Sequence, residues 1–146
     1  MKKLIVLFML MVSGIMLAQT EPIKVVFDVT SSNPDVHRTA AKHLRLMAEA
    51  YPQSEFELVI YSGAYKMVDR KSSVAGETLT DIVKRNNVDI VICEQTMKRH
   101  KMTMDNLIPG VGSVPDGIYE IIMKQKAGAI SKKPNSPYAK NRKIMG

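Results

Sequence analysis

The sequence predicts an α/β protein of three layers, in which a mostly parallel sheet of about five strands lies between helices. Three observations support this fold class. Runs of β-branched and apolar residues alternate along the chain with amphipathic stretches of helical periodicity. Gly, Pro and Asn residues separate these runs. No internal repeat is visible, and 146 residues are enough for one domain with a hydrophobic core.

The chain begins with a segment typical of a secretory signal peptide. Lys2 and Lys3 precede an almost entirely apolar run over residues 4–17, and the small residue Ala18 ends it. The run is shorter than the roughly 20 apolar residues that span a bilayer. We therefore expect residues 1–18 to be removed on export, which gives a periplasmic or secreted protein without stable membrane insertion. An uncleaved N-terminal anchor is the alternative.

The formal charge of +7 comes from the two ends of the chain. Two lysines belong to the predicted signal, and five basic residues follow Ser131 with no acidic residue among them. The body between them is formally neutral. A nucleic-acid-binding protein is expected to carry a basic face with aromatic residues, so the composition argues against nucleic acid as a partner. We expect a domain over residues 19–133 and a basic, disordered tail over residues 134–146.

The first predicted unit is a buried strand followed by a capped helix. Residues 23–29, IKVVFDV, suit a strand that is covered on both faces. Asn33 is a good N-cap, and Pro34 suits the first helical position. The helix is expected to end at Pro52, with an apolar face formed by Ala40, His43, Leu44, Met47 and Tyr51.

The remaining elements follow the same alternation. Residues 55–62 predict the second strand, and residues 78–87 the second helix after an irregular segment. Residues 88–93, VDIVIC, predict the third strand. A helical stretch to about Lys101 follows, and then a loop rich in Gly and Pro. The pattern ends with a helix from Pro115 to about Lys126 and a last strand within residues 127–131.

The only cysteine of the chain, Cys93, ends the third predicted strand. Right-handed crossovers place the carboxyl ends of parallel strands along one edge of the sheet, and ligands bind there at the point where the strand order reverses. If the first and third strands are neighbours, the loop between Thr30 and His37 borders the same crevice. The residues alone leave two interpretations, an inert buried thiol and a reactive one.

The surroundings of Cys93 are mildly favourable for a reactive thiol. A cysteine reacts as its thiolate, and a helix N-terminus and nearby cations stabilise that anion. Lys98, Arg99 and His100 provide positive charge within two helical turns, whereas Glu94 opposes it. The loops that contain Ser31 and Gly63 are expected to approach Cys93, where backbone donors can hold a sulfur oxyanion.

Histidine and methionine residues give a second class of interpretation. Soft sulfur and imidazole ligands select Cu(I), and a candidate set is available in Cys93, Met97, His100, Met102 and Met104. Packing is the competing explanation for Met97. We interpret His37 and His100 as surface residues, although both can orient an anion, and His43 as a packing residue or an oligomer contact.

The carboxyl half of the sequence resembles the DsrE/DsrF-like family of sulfur-handling proteins. In that family a strand ends in a cysteine followed by x-Asn-Thr, and this chain has Cys93 with Thr96, while Gln95 replaces the Asn. The family's acidic-Leu-Pro-Gly-Val segment corresponds to residues 105–111 and its Val-Pro-x-Gly to residues 114–117. Its late glutamine matches Gln125. The resemblance extends over about residues 23–133.

The resemblance implies a mostly parallel five-stranded α/β fold. It also implies an oligomer, because members of the family form homo- or hetero-oligomers, often trimers or multiples of three. For this chain we expect a homo-oligomer. It also implies that Cys93 accepts sulfur as a persulfide and passes it on. Gln95, Thr96, Lys98 and His100 are then candidate binding residues, together with Ser31 and Gly63.

The expected partner is a small sulfur species or a sulfur-carrying protein, and we expect no cofactor and no metal. The family's relay members are cytoplasmic, whereas this chain has an export signal. A non-catalytic oligomeric binding or scaffold module is the alternative.

Overall fold

The computed structural model describes residues 21–132. The predicted signal (residues 1–18) and the predicted tail (residues 134–146) lie outside these residues. The described part contains five strands, β1 (Lys24–Val29), β2 (Glu55–Ile60), β3 (Val88–Cys93), β4 (Gly112–Val114) and β5 (Ile130–Lys132). Its α-helices are α1 (Pro34–Ala50), α2 (Gly76–Ile82), α3 (Glu94–Arg99) and α4 (Gly117–Lys126), and 3-10 helices cover Ser62–Met67 and Met104–Asn106. Within residues 21–132, no helix has the length and apolar character needed to cross a membrane.

The five strands form one parallel sheet in the order β4-β3-β2-β1-β5. The central strands β1, β2 and β3 are rich in Val, Ile, Leu and Phe, because a parallel sheet covered by helices buries both faces of its middle strands. In β2, every residue after Glu55 is buried. The predicted three-layer α/β architecture is confirmed.

The larger hydrophobic core lies between one face of the sheet and the helices α1 and α2. Alternate strand residues point into it, for example Val25, Phe27 and Val29 of β1. Helix α1 contributes side chains at helical spacing, including Ala40 and Leu44, which are fully buried. The 3-10 helix Ser62–Met67 closes this core at the carboxyl edge of the sheet.

The start of α1 follows the sequence prediction, whereas the position of His37 does not. Asn33 caps the helix, and its Oδ1 accepts a hydrogen bond of 2.8 Å from the Asp35 N–H. His37 is buried, and its Nε2 lies 2.7 Å from the carbonyl oxygen of Ser31, which it can satisfy as a donor. The predicted surface position of His37 is therefore wrong. His43 is exposed, so it does not pack in the core of this chain, and an oligomer contact stays a prediction.

The other face of the sheet is covered by α4, the helix among the described residues that packs there. Ile121 of α4 meets Val26 and Val59 in a small second core. Four large apolar side chains of α4 point outward and are between 41% and 62% exposed, namely Ile118, Tyr119, Ile122 and Met123. Large apolar side chains grouped on one exposed helix face are a feature of interaction surfaces.

The sequence predicts that the Thr30–His37 loop borders the Cys93 crevice only if the first and third strands are neighbours, and the sheet does not meet this condition. Strand β2 separates β1 from β3, so β1 and β3 are not neighbours. The strand order reverses between β1 and β5, which are parallel, and this point lies on the far side of β1 from Cys93. Strand β4 falls in the segment that the sequence analysis treated as a loop, because three residues with two of them Gly and Ser give too little β pattern.

Two helix boundaries also shift. Helix α3 ends at Arg99, since Lys101 adopts a positive φ of 53° that ends the helical path. Helix α4 begins at Gly117 instead of Pro115, because Asp116 is its N-cap. The Asp116 Oδ1 atom accepts hydrogen bonds of 2.9 Å from the N–H groups of Ile118 and Tyr119.

A buried carboxylate lies between the sheet and the last turns of α4. Glu57 is 6% exposed, and its Oε2 atom is 3.0 Å from Nζ of Lys124, which also approaches Glu120 at 3.5 Å. Desolvation by burial raises the pKa of Glu57, while Lys124 opposes the shift. The two carboxylates keep Lys124 charged by raising its pKa against its own desolvation.

Glu57→Gln is expected to flatten the pH dependence of stability in the weakly acidic range. Because the folded-state pKa of Glu57 is raised, its contribution is fully present below its unfolded value near 4.5 and is lost as the pH rises through the folded value. The advantage of wild type over Glu57→Gln in unfolding free energy should therefore shrink as the pH rises, as measured by urea unfolding at several pH values. Glu55→Gln, which removes an exposed carboxylate paired with Lys24, should keep the wild-type profile; a constant difference for Glu57→Gln would contradict the assignment.

Candidate functional site

Cys93 is both the last residue of β3 and the N-cap of α3, as the sequence predicted. Side chains alternate along β3, so Cys93 and Val91 point to the α4 face, while Ile92 points to the larger core. The cysteine therefore lies where β3, the start of α3 and the start of α4 meet. Its neighbours include residues of α3 and α4, two helices that follow it in sequence.

A pocket of about 280 Å³ opens at this point on the carboxyl edge of the sheet. Cys93 is only 6% exposed, yet it forms part of the pocket wall. The thiol is thus recessed and reached through a cavity, instead of being enclosed in hydrocarbon. The other lining residues are Tyr61, Ser62, Gln95, Thr96, Arg99, Asp116, Gly117 and Ile118.

Tyr61 follows β2 directly and lies beside Cys93 on the same face of the sheet. Burial raises the pKa of Tyr61 to about 12, and the carboxylate of Asp28, to which the phenol donates a hydrogen bond, acts in the same direction. Tyr61 is therefore a neutral, fixed wall at neutral pH. Its hydroxyl proton is directed to Asp28, so the ring is the part of Tyr61 that contacts the cysteine region.

Ser62 turns the chain away from the sheet in a left-handed conformation. Its φ is 57°, which costs a non-glycine residue on the order of 1 kcal/mol. The buried hydroxyl oxygen of Thr96 accepts a hydrogen bond of 2.9 Å from the Ser62 N–H and holds this turn against α3. Thr96 thus shapes the pocket by linking two of its walls.

The amino terminus of α4 packs directly on Cys93. A Cβ atom at Gly117 would lie 3.2 Å from the Cβ of Cys93 and 3.3 Å from Cδ1 of Tyr61. The close approach therefore favours glycine at this position. The Asp116 carboxylate beside it already accepts two N–H groups of its own helix, as described above.

Gln95 and Arg99 form the α3 side of the pocket. They are four residues apart and so lie on one face of the helix, one turn from each other. Both are exposed at the pocket mouth. Glu94 turns toward β4 instead, where the Ser113 hydroxyl donates a hydrogen bond of 3.2 Å to its Oε1 atom.

Four of the residues proposed from the sequence do not line this pocket. Lys98 is exposed on another face of α3, and the His100 ring stacks on Tyr65 at a centroid distance of 3.7 Å. Ser31 uses its hydroxyl to accept the Asn33 N–H and its carbonyl to bind His37. Gly63 packs against the backbone of Thr30 and Ser32. The predicted contacts of Lys98, His100, Ser31 and Gly63 with the site are corrected accordingly, whereas Gln95 and Thr96 do line it.

The side chains considered as Cu(I) ligands do not come together at one point. Met97 packs in the larger core, with Met102 against it, on the side of the sheet that Cys93 turns away from. Met104 is 52% exposed, and His100 is stacked on Tyr65. Within residues 21–132, no three His, Cys, Asp or Glu side chains are grouped closely enough to hold a metal ion.

Four lining residues were not identified from the sequence, namely Tyr61, Asp116, Gly117 and Ile118. Gly117 left a usable signal, because it is the glycine of the Val-Pro-x-Gly segment. The other three are positioned by strand order and loop conformation, which the sequence pattern does not contain. The sequence does place the loop with Ser62 and Gly63, and the cation Arg99, near Cys93, and both Ser62 and Arg99 line the pocket.

The structure is thus a three-layer α/β domain with a parallel sheet and with one thiol recessed in a pocket at the carboxyl edge of that sheet. The chain belongs to the DsrE/DsrF-like family, whose family model matches residues 24–130. This membership confirms the resemblance deduced from residues 23–133, and it suggests a sulfur-related function.

Two solved structures show the same fold. A protein of unknown function, MTH1491 from Methanobacterium thermoautotrophicum, matches with a TM-score of 0.71 and 21% sequence identity, covering 77% of this chain and 99% of that chain. The ychN protein from E. coli matches with a TM-score of 0.61 and 14% identity, covering 77% of this chain and 100% of that chain. A search of curated proteins finds no match to this chain.

Proposed function

We propose that this protein binds sulfur as a persulfide on Cys93 and transfers it to an acceptor. The observation that carries this proposal is the position of the thiol, recessed in a pocket at the carboxyl edge of a DsrE/DsrF-like sheet. A persulfide needs one cysteine, and the chain has one. The pocket gives a small sulfur species access while Tyr61 and Gly117 shield the sulfur from bulk solvent.

The pocket supports this chemistry through its walls. Tyr61 and Gly117 restrict movement around the cysteine, and Thr96 fixes the Ser62 turn that borders it. Gln95 offers an amide at the position where the family has an asparagine. A site held in place in this way presents the thiol in one orientation to an incoming sulfur atom.

Polysulfide treatment followed by intact mass measurement tests the proposal. Wild-type protein should gain the mass of one or more sulfur atoms, and a thiol reductant should remove them. Cys93→Ser should gain none, because no other cysteine is present. Absence of an adduct on wild type, together with no reaction of Cys93 with alkylating agents, would overturn the persulfide role and favour a binding or scaffold module.

We also propose that the protein is exported and works as a homo-oligomer. The basic start and short apolar run of residues 1–18 support export, and mature protein isolated from its source should begin near Gln19. The outward apolar face of α4 supports self-association, because a formally neutral body has no net charge to keep two copies apart. Ile118 belongs both to this face and to the pocket, so a second copy on α4 would border the Cys93 site.

A further inference from the structure

The charged side chains that line the Cys93 pocket differ in the hydrogen bonds and ion pairs that they already form. Two charged side chains line it, Arg99 and Asp116. The Asp116 Oδ1 atom accepts two backbone N–H groups at 2.9 Å, and its charge faces the amino terminus of α4, where a helix dipole offsets it. Asp116 is therefore a capping group that also touches the pocket.

Among the described residues, Arg99 has no partner of this kind. Within residues 21–132, no carboxylate lies within ion-pair distance of its guanidinium, although other cations form such pairs. It lies on the same helix face as Gln95, so a planar cation and an amide stand one turn apart at the pocket mouth. This is the geometry in which proteins hold carboxylate or sulfonate groups.

The size of the pocket limits what can enter. Its volume of about 280 Å³ is at the lower end of the range for small-molecule sites. Cys93 lies at the recessed end with 6% exposure, and Arg99 lies at the exposed end. A ligand that reaches both must be small, with its reactive sulfur inward and its charged group outward.

We infer that Arg99 selects small sulfur donors that carry an anionic group, such as a carboxylate or sulfonate, next to the transferable sulfur. This inference rests on the proposed persulfide function and names its substrate class. In the reaction, the Cys93 thiolate attacks the outer sulfur of a donor R–S–SH, and a new S–S bond forms. The S–S bond of the donor breaks, and R–S⁻ leaves with the electron pair. The outer sulfur keeps its proton, the cysteine is oxidised to the persulfide, and the donor is reduced to the thiolate.

Paired alkylating reagents test this selection independently of any sulfur donor. Iodoacetate and iodoacetamide share one reactive carbon and differ in charge, so the ratio of their rates at Cys93 measures the preference for an anion. Wild type should show a higher iodoacetate-to-iodoacetamide ratio than a free cysteine in the same buffer. High salt should reduce the ratio toward the free value, because the guanidinium is exposed.

Three full-length variants separate the contributions of Arg99, Lys98 and Asp116 to the ratio of the two alkylation rates. Arg99→Gln should lower the ratio about threefold to tenfold, because a change in the thiolate population alters both rates and cancels in the ratio, whereas a lost attraction for the anion lowers the iodoacetate rate alone. Lys98→Gln removes the same charge from the neighbouring residue outside the pocket and should leave the ratio at the wild-type value. Asp116→Asn keeps the N-cap while removing a negative charge, and it should raise the ratio.

The outcomes distinguish the two proposals. No reaction of Cys93 with iodoacetamide overturns the persulfide function together with the selection. A reactive Cys93 whose ratio equals that of free cysteine, or falls equally in Arg99→Gln and Lys98→Gln, overturns the selection alone. In that case the donor is a neutral compound or a carrier protein.

Discussion

Gly117→Ala is expected to destabilise the protein by about 1–3 kcal/mol and to slow alkylation of Cys93. The new methyl group would lie 3.2 Å from the Cys93 Cβ and 3.3 Å from the Tyr61 ring. The Cys93 Cβ is fixed by β3, so the start of α4 or the Tyr61 ring must move. In both cases the added methyl group occupies space beside the thiol in the pocket wall. Urea unfolding and the iodoacetamide rate measure the two effects.

Gly76→Ala is the matched control, because Gly76 is likewise the first residue of its helix. A Cβ at Gly76 would have ordinary contacts of 3.5 Å or more. Alanine there should be neutral or stabilising by up to about 1 kcal/mol, as expected when a helical glycine gains a methyl group without strain. If both alanine variants behave alike in stability and in Cys93 reactivity, the close approach of α4 to Cys93 is wrong.

Ile122→Glu is expected to convert the proposed homo-oligomer into monomers. Ile122 is 52% exposed at the centre of the outward face of α4. A charge buried at the centre of an interface typically costs 2 kcal/mol or more, which weakens association about thirtyfold or more per interface. Sedimentation velocity of wild type and variant at micromolar concentration measures the change. The far-ultraviolet circular dichroism of the variant should match that of wild type, because the side chain points away from the sheet.

Leu46→Glu provides the control on the opposite side of the molecule. Leu46 of α1 is 48% exposed, close to the value for Ile122, but it stands outside the α4 face. Its replacement should leave the sedimentation coefficient unchanged. A monomeric wild-type protein, or dissociation caused by Leu46→Glu in place of Ile122→Glu, would show that α4 is not the self-association surface.

Much of the fold follows from local sequence pattern, because each central strand is an unbroken run of β-branched and apolar residues. The position of Cys93 follows as well, since one residue ends the strand VDIVIC and starts the next helix. Strand order is different, because it depends on which strands pair over long separations. The sequence left β1 and β3 as conditional neighbours, and the sheet places β2 between them.

The side chains that line the pocket are likewise only partly predictable from the sequence. Gln95 and Thr96 were identified because they are adjacent to Cys93 in sequence, and they line its pocket. Tyr61 and Ser62 reach the pocket only because β2 is next to β3 and because Ser62 adopts a positive φ. The surface position predicted for His37 was wrong because the first turn of α1 directs His37 inward, where its ring bonds the Ser31 carbonyl.

The pairing of the first strand with the last has a consequence for how the chain matures. Val25 of β1 pairs with Ile130 of β5, so the edge of the sheet is completed by the most distant part of the domain. A polypeptide that emerges from a ribosome in the N-to-C direction cannot form this pair until residues 130–132 have arrived. Completion of this sheet edge is therefore a late step in the folding of the domain, and it follows the assembly of the strands that carry the core.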